Sequence, residues 1–282
     1  MYHTRIKYFP SGGAQYAFYD TPIVTGARKS TPKVEKPPGL SIKRGEEINA
    51  KVARKAVYDL ARSNEFDWFV TLTMSPERVN RMDYEACVAE LMKFTDVLRK
   101  AGCLWIIVPE EHEKGGWHFH GLIKGDLKLK RATNFYTGQP LEDKSGRPIY
   151  NILNYKYGLN TATEIQSSAR AATYLAKYLT KDMHIPKGKK RYWASKSLMR
   201  PEVEYDNFTV REENLVKEIC PFVKETALKY GKMTICEEEG LAHDPLQWTE
   251  EEVDESVFVQ MSPVNPLKPF EGEQLRIEQN IN

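Results

Sequence analysis

The alternation of apolar and polar positions along the chain predicts a mixed α+β fold. Three apolar, β-branched and aromatic runs are typical of strands, at residues 68–73, 103–108 and 117–123. Apolar positions at helical spacing predict helices over 83–100 and 167–183, and a further strand is expected near 190–196. The order strand, helix, strand, strand, helix, strand predicts a ferredoxin-like or RRM-like split βαβ core with an antiparallel sheet, extra helices and an insertion.

The regions around this core are predicted from weaker patterns. An aromatic-rich hairpin is expected near 5–19, and a helix over 43–63 with Ile48, Val52, Ala56 and Leu60 as its buried stripe. Two helices separated by Pro221 are expected between 208 and 232. These patterns divide the chain into four parts: an N-terminal hairpin and linker (1–44), the main domain (45–200, with a basic insertion at 124–164), a helical extension (201–235) and an acidic flexible tail (236–282).

Charge is distributed unevenly along the 282 residues. Residues 201–282 carry 7 Lys and Arg against 19 Asp and Glu, whereas residues 124–200 carry 16 basic and 5 acidic side chains. A basic body with an acidic tail suits a polyanion-binding protein. The chain has no apolar run of transmembrane length, and its four widely spaced cysteines argue against a zinc ribbon or disulfide framework and favour a reducing cytoplasm.

The segment 110–123 carries a candidate metal site. His118 and His120 alternate with Phe119, so on a strand both imidazoles lie on one face, about 6–7 Å apart, while Phe119 enters the core. Pairing of the two strands about the 114–116 turn sets Glu110 opposite His118. Two imidazoles with a carboxylate suit Mn²⁺ or Mg²⁺. A bulge at Pro109 would reverse the parity, so Glu111 and His112 remain alternative ligands.

A second candidate element lies on the predicted helix 167–183. Tyr174 and Tyr178 are one turn apart on one face, and Lys177 and Lys181 form the adjacent row. Tyrosine is a known covalent nucleophile, and the lysine ammonium groups suit a phosphate or a developing negative charge. Two half-buried tyrosines with a purely structural role remain the alternative.

Basic residues with neighbouring aromatics suggest contacts with nucleic acid. In the insertion, Lys128, Lys130 and Arg131 are candidate duplex or hairpin contacts. Charge combined with ring faces suits single-stranded DNA. A second candidate set with this combination follows the tyrosine helix: Lys189, Lys190, Arg191, Tyr192 and Trp193.

Taken together, three motifs resemble those of rolling-circle replication initiators of the HUH endonuclease superfamily, and most of all the replication-associated proteins of small single-stranded DNA phages and related plasmids. The motifs are a strand at 69–73, the histidine motif at 110–122 and the tyrosine helix at 174–181. The resemblance covers residues 45–200. The tyrosines follow the histidines, as in replication initiators and unlike relaxases.

The resemblance implies a nicking-joining enzyme of the bacterial cytoplasm that acts on single-stranded DNA at a replication origin. Glu110, His118 and His120 would hold Mn²⁺ or Mg²⁺, and Tyr178, with Tyr174 as its partner, would form a 5′-phosphotyrosine link. The chain has no GxxxxGK[ST] phosphate loop, so a host helicase and polymerase are expected partners. The alternatives are a tyrosine-type single-strand transposase, a non-catalytic RRM-like binding module and a metal-dependent phosphodiesterase that uses water.

Overall fold

The computed structural model describes residues 1–24, 38–112, 116–179, 185–186, 188–228 and 231–238, with the side chains of the first helix described from residue 48 onward. Within these residues there are four helices: α1 (Pro38–Arg62), α2 (Tyr84–Lys100), α3 (Ser168–Lys177) and α4 (Val210–Ile219). None of them combines the length and the apolar character needed to cross a membrane. The strands are β1 (Tyr2–Tyr8), β2 (Ala14–Ile23), β3 (Trp68–Thr73), β4 (Leu104–Glu111), β5 (Trp117–Lys124), β6 (Leu129–Arg131), β7 (Tyr150–Ile152), β8 (Asn160–Glu164), β9 (Trp193–Ala194), β10 (Glu202–Asp206), β11 (Phe222–Leu228) and β12 (Gly231–Glu237).

A seven-stranded antiparallel sheet forms the centre of the molecule, in the order β6-β7-β8-β3-β5-β4-β9. The predicted α+β class with an antiparallel sheet is confirmed, and β3, α2, β4 and β5 follow one another as predicted. One position differs from a simple split βαβ order. The neighbour of β3 is β8, from the end of the insertion, whereas the short strand that follows α3 pairs with β4 at the other edge.

Strand alternation gives the seven-stranded sheet two covered faces. Leu72 and Phe119 face α2 and pack with its buried Leu91 and Phe94. The opposite face packs against α1 and α3 through a second cluster that includes the following residues: Val57, Leu60, Ile106, Val108, Leu122, Leu175 and Leu179. Because residues two apart share a face, each strand contributes to both clusters.

The buried stripe of α1 differs from the predicted one. Ile48 and Val52 are 52% and 62% exposed, and the helix instead buries Ala50, Ala53, Val57, Leu60 and Ala61. These small and medium side chains allow α3 to approach closely. The prediction of Leu60 was right, but the four-residue spacing selected the wrong face for the first half of the helix.

A second, five-stranded antiparallel sheet is built from both ends of the described chain, in the order β10-β1-β2-β12-β11. The first of the two helices predicted between 208 and 232 is present as α4, capped by Thr209 and Glu212. The second is wrong, because residues 222–237 form the β11–β12 hairpin. Strands from the predicted units 1–44 and 201–235 therefore pair in one sheet. Residues 239–282 of the predicted acidic tail lie outside the described residues.

Polar contacts join this five-stranded sheet to α1. Lys7 forms a buried ion pair with Asp59, and the Tyr58 hydroxyl is 2.8 Å from both carboxylate oxygens of Glu237. The Arg62 guanidinium lies 4.8 Å from the centre of the Phe9 ring. Helix α1 is thus packed between the two sheets, with an apolar face toward the seven-stranded sheet and a polar face toward the other.

Replacing Gly158 by alanine is expected to destabilise the protein, because the end of β3 leaves no space for a side chain. A Cβ atom at Gly158 would lie 2.1 Å from the Thr73 carbonyl oxygen and 2.5 Å from the Ser75 nitrogen. Moving these backbone atoms is expected to cost about 2 kcal/mol or more of unfolding free energy, measured by thermal or urea denaturation. Gly102→Ala is the matched control, since it has a positive φ of +73° but open space around its Cβ. Equal losses in the two variants would contradict this account.

Candidate active site

The predicted pairing of the two histidine-motif strands is confirmed. Glu110 pairs with His118 and Val108 with His120, without a bulge at Pro109. Strand β3 lies on the other side of β5, where Thr73 pairs with His118 and Thr71 with His120. The face of the sheet that carries both histidines is therefore the face covered by α1 and α3, and Phe119 points to the opposite core as predicted.

Glu110 and His120 form a close ion pair in this face. The Glu110 Oε2 atom is 2.6 Å from His120 Nε2, and the His120 side chain is only 4% exposed. Partial burial of the Glu110 carboxyl raises its pKa, but the charge and hydrogen bond of His120 oppose this effect, and the net pKa lies below its ordinary value. His118 and His112 add to the lowering. The carboxylate is thus held in its ionised form at neutral pH, the form that binds cations.

Two threonines on β3 orient the histidine rings from behind. Thr71 Oγ1 is 3.1 Å from His120 Nδ1, and Thr73 Oγ1 is 3.2 Å from His118 Nδ1. A partner at Nδ1 fixes the ring orientation and leaves Nε2 as the outward nitrogen, which is the usual arrangement for metal-binding histidines. The sequence analysis did not single out this role, although Phe69, Thr71 and Thr73 alternate along β3 and so share the face of the histidines.

The structure separates Glu110 from its two alternatives. Glu111 pairs with Trp117, which is buried in the α2-side core, so position 111 lies on the opposite face of the sheet. His112 lies beside His118, with ring centres 5.5 Å apart. The face therefore carries Glu110 next to His120 and His112 next to His118.

Both tyrosines of the predicted helix lie against this group. The Tyr178 ring stacks on His120 with centres 3.8 Å apart and an interplanar angle of 11°. Its hydroxyl donates a hydrogen bond of 2.7 Å to the Tyr174 hydroxyl, and the Tyr174 ring packs edge-on against Phe69. Helix α3 ends at Lys177, so Tyr178 occupies the C-cap position. The tyrosine spacing of four residues thus brings both phenols to one place beside the histidines.

An arginine of α1 holds the chain directly after Tyr178. Arg54 donates to the Leu179 carbonyl oxygen from Nε at 3.2 Å and from Nη2 at 2.9 Å. Leu179 is itself buried against α1. This double contact fixes the backbone at the end of α3, where the carbonyl groups have no partner inside the helix.

Arg54→Gln is expected to loosen the end of α3, because a neutral amide cannot reproduce the two charge-assisted hydrogen bonds. We expect a loss of about 1–2 kcal/mol in unfolding free energy. Hydrogen–deuterium exchange is expected to be faster at residues 177–179, with Arg54→Lys intermediate. Lys51→Gln, an exposed change on the same helix, is the control. Unchanged exchange in Arg54→Gln would show that the contact does not hold the segment.

The predicted lysines and DNA contacts are placed unevenly. Lys177 is half-buried at the end of α3, and Lys181 lies outside the described residues. Lys128 and Lys130 are exposed on and beside β6, whereas Arg131 pairs with Glu142 at 3.2 Å.

The segment that follows the tyrosine helix requires a correction. Lys189 and Lys190 are exposed, and Lys189 pairs with Glu85 at 2.8 Å. Arg191 is half-buried, and Tyr192 packs against the α1–α3 cluster. Trp193 is 8% exposed and packs on Phe119 in the core, so its predicted stacking on DNA is corrected to a structural role. Its bulk closes the sheet edge at β9.

The donor set at this site fits a divalent cation in its chemistry. Among the described residues, no group of three His, Cys, Asp or Glu side chains is already arranged to hold a metal ion. Glu110 contributes a carboxylate, while His118 and His120 have Nδ1 occupied by threonine, which leaves Nε2 for a ligand. A carboxylate with two imidazoles suits Mn²⁺ and Mg²⁺. Binding such an ion would replace the direct Glu110–His120 contact, because both atoms would become ligands.

An antiparallel sheet with paired histidines on a central strand, covered by a helix that carries two tyrosines, has the architecture of the HUH class of proteins. Residues 67–183 match the model of a family of replication-associated proteins, the ORF2 type. This part of the chain therefore belongs to a replication-initiator family, which confirms the resemblance found in the sequence. No curated protein and no solved structure gave a significant match to the chain. The matched segment spans β3 to α3 and so contains every residue of the tyrosine–histidine site.

Proposed function

We propose that this replication-associated protein nicks and rejoins single-stranded DNA at a replication origin through a 5′-phosphotyrosine intermediate. The observation that carries the proposal is the stack of Tyr178 on His120, which is itself paired with Glu110. A candidate nucleophile and candidate metal ligands that are far apart in sequence thus meet at one point. Family membership supports the general role in replication.

In the proposed reaction a tyrosine Oη attacks the scissile phosphorus. The new bond joins the phenolic oxygen to phosphorus, and the bond from phosphorus to the 3′-oxygen breaks. The phenol gives up its proton and the departing 3′-oxygen gains one, so no oxidant or reductant is needed. The reverse attack by a 3′-hydroxyl restores a phosphodiester and frees the tyrosine.

Glu110, His118 and His120 would hold a divalent cation. Bound Mn²⁺ or Mg²⁺ would supply Lewis-acid polarisation of the scissile phosphate. The lysine row would stabilise negative charge on the phosphate, with Lys177 nearest the tyrosines in sequence. Thr71 and Thr73 would keep both imidazoles in the ligand orientation.

The hydrogen bond between the tyrosines gives each a distinct position. Tyr178 donates to Tyr174 at 2.7 Å, so Tyr174 accepts at the oxygen that is placed nearest the Tyr178 proton. We propose Tyr178 as the first nucleophile, since it contacts His120, with Tyr174 as its partner in strand transfer. The two phenols are close enough to act on successive phosphates brought to one site.

The proposed partners follow from this reaction. A free 3′-hydroxyl requires a polymerase to extend it, and the sequence carries no phosphate-loop motif, so strand separation is assigned to a separate helicase. We propose that a bacterial host supplies both in its cytoplasm.

Covalent capture tests the proposal directly. The full chain is incubated with a randomised single-stranded DNA library and Mn²⁺, then denatured and resolved by gel. We expect a protein–DNA adduct that retains a 3′-end label and loses a 5′-end label, because tyrosine takes the 5′-phosphate. Chelator is expected to abolish it.

The other possible functions give different results. Cleaved DNA without an adduct at any time would indicate hydrolysis by water. Tight binding without cleavage would indicate a non-catalytic binding module. Sequencing of the captured strands identifies the preferred nick site, which can then be synthesised as a defined substrate.

A further inference from the structure

The insertion between β5 and β8 carries two large exposed aromatic side chains. Phe135 is 45% exposed and Tyr136 is 66% exposed, and their rings meet edge to face with centres 5.4 Å apart. Neither belongs to the small apolar cluster of the insertion, which consists of Ala132, Leu141 and Ile149. An exposed aromatic pair that adds nothing to a core points to a binding role.

The turn that presents this pair is held by a dense set of hydrogen bonds. Asn134 Oδ1 accepts from the Tyr136 and Thr137 backbone nitrogens at 2.9 and 3.0 Å. Asn134 also donates its backbone N–H to the Gln139 carbonyl at 2.8 Å, and its carbonyl accepts from Gly138 at 2.9 Å. The aromatic pair therefore sits at the tip of a closed six-residue turn, 134–139, and little conformational freedom is lost on binding.

The charge around this tip suits a polyanion. Residues 124–159 contain seven basic and three acidic side chains. Two of the acidic groups are paired internally, Glu142 with Arg131 and Asp143 with Arg147. Lys128 and Lys130 remain exposed at the adjoining strand.

We propose that Phe135 and Tyr136 stack on unpaired bases of single-stranded DNA outside the nicking centre. Strand β6 lies four strand positions from β5, which corresponds to about 19 Å across the sheet. A strand that crosses the sheet from the tyrosines would be neutralised by Lys128 and Lys130 and anchored by base stacking at the tip. Bases in a duplex are already stacked on one another, so exposed rings favour unpaired DNA. The proposal rests on the proposed DNA-processing function for its ligand class.

Equilibrium binding in chelator tests the proposal separately from catalysis. Fluorescence anisotropy of a labelled single-stranded oligonucleotide and of the matching duplex is measured with the full chain. Phe135→Ala/Tyr136→Ala is expected to weaken single-strand binding about ten-fold, with an unchanged salt slope. The exchange Phe135→Tyr/Tyr136→Phe, which keeps both rings, is expected to retain wild-type affinity.

Two control variants separate stacking from other effects. Lys128→Ala/Lys130→Ala is expected to reduce the salt slope by about 0.7 for each lost phosphate contact. Leu215→Ala removes an equally exposed apolar side chain on α4 and is expected to change nothing.

The opposing outcomes are distinct. Unchanged affinity of the double alanine variant, or an equal loss on duplex DNA, would overturn the stacking proposal alone. Weak binding of the wild type to every DNA would overturn the proposed function as well.

Discussion

Replacement of both Tyr174 and Tyr178 by phenylalanine is expected to abolish the covalent protein–DNA adduct. Phenylalanine keeps the ring that stacks on His120 and the ring that packs on Phe69, so the fold at this site is retained. Only the two hydroxyl oxygens are removed, and with them every nucleophile of the proposed mechanism. The measurement is the gel assay with 3′-labelled single-stranded DNA and Mn²⁺.

The single variants rank the two tyrosines. Tyr178→Phe is expected to lower the initial rate of adduct formation at least about a hundred-fold, since it removes the proposed first nucleophile. Tyr174→Phe is expected to retain cleavage and to lose strand transfer to a second DNA end. Tyr157→Phe, a partly buried tyrosine of the α2-side core, is the control. An adduct in the double variant would show that another residue is the nucleophile.

Removing the candidate metal ligands is expected to have the second large effect. His118→Ala and His120→Ala are each expected to reduce metal-stimulated cleavage by about a thousand-fold, which corresponds to loss of several kcal/mol of transition-state stabilisation. Glu110→Ala is expected to be similarly severe, because it removes the charged oxygen ligand. Mn²⁺ binding, followed by calorimetry without DNA, is expected to weaken in parallel and gives a measure that does not depend on activity.

Glu111→Ala is the matched control for these variants. It removes a neighbouring carboxylate on the same strand, but position 111 faces away from the histidines. It is expected to bind Mn²⁺ and cleave DNA as the wild type does. A loss in Glu111→Ala equal to that in Glu110→Ala would reject the ligand assignment, and wild-type Mn²⁺ binding in His118→Ala would reject the site.

Local patterns were sufficient to predict the centre of the fold. The alternation of β5 and the nearby turn determine which side chains share a face, so Glu110, His118 and His120 were placed correctly relative to one another. Helical spacing likewise predicted that Tyr174 and Tyr178 lie together. These relations depend on residues close in sequence, where strand and helix geometry leave few alternatives.

Relations between distant segments were not accessible in the same way. Nothing local to 222–237 indicates that β12 pairs with β2, so the apolar positions there were read as a second helix. The stripe of α1 was misplaced because its burial depends on α3 and on the second sheet, not on its own periodicity. Arg54 reaches a carbonyl 125 positions away, a contact that no spacing rule indicates.

The second sheet links the evolution of the two flanking segments to that of the site. Lys7 on β1 needs Asp59 on α1, and Glu237 on β12 is hydrogen-bonded by Tyr58 of the same helix. A substitution at any of these positions leaves a buried charge or hydroxyl without its partner unless the facing residue changes with it. Since α1 also holds the end of the tyrosine helix, residues outside the family-matched segment are expected to drift as correlated pairs. Exchange of this nicking domain between replicons would then succeed only when both flanks are transferred with it.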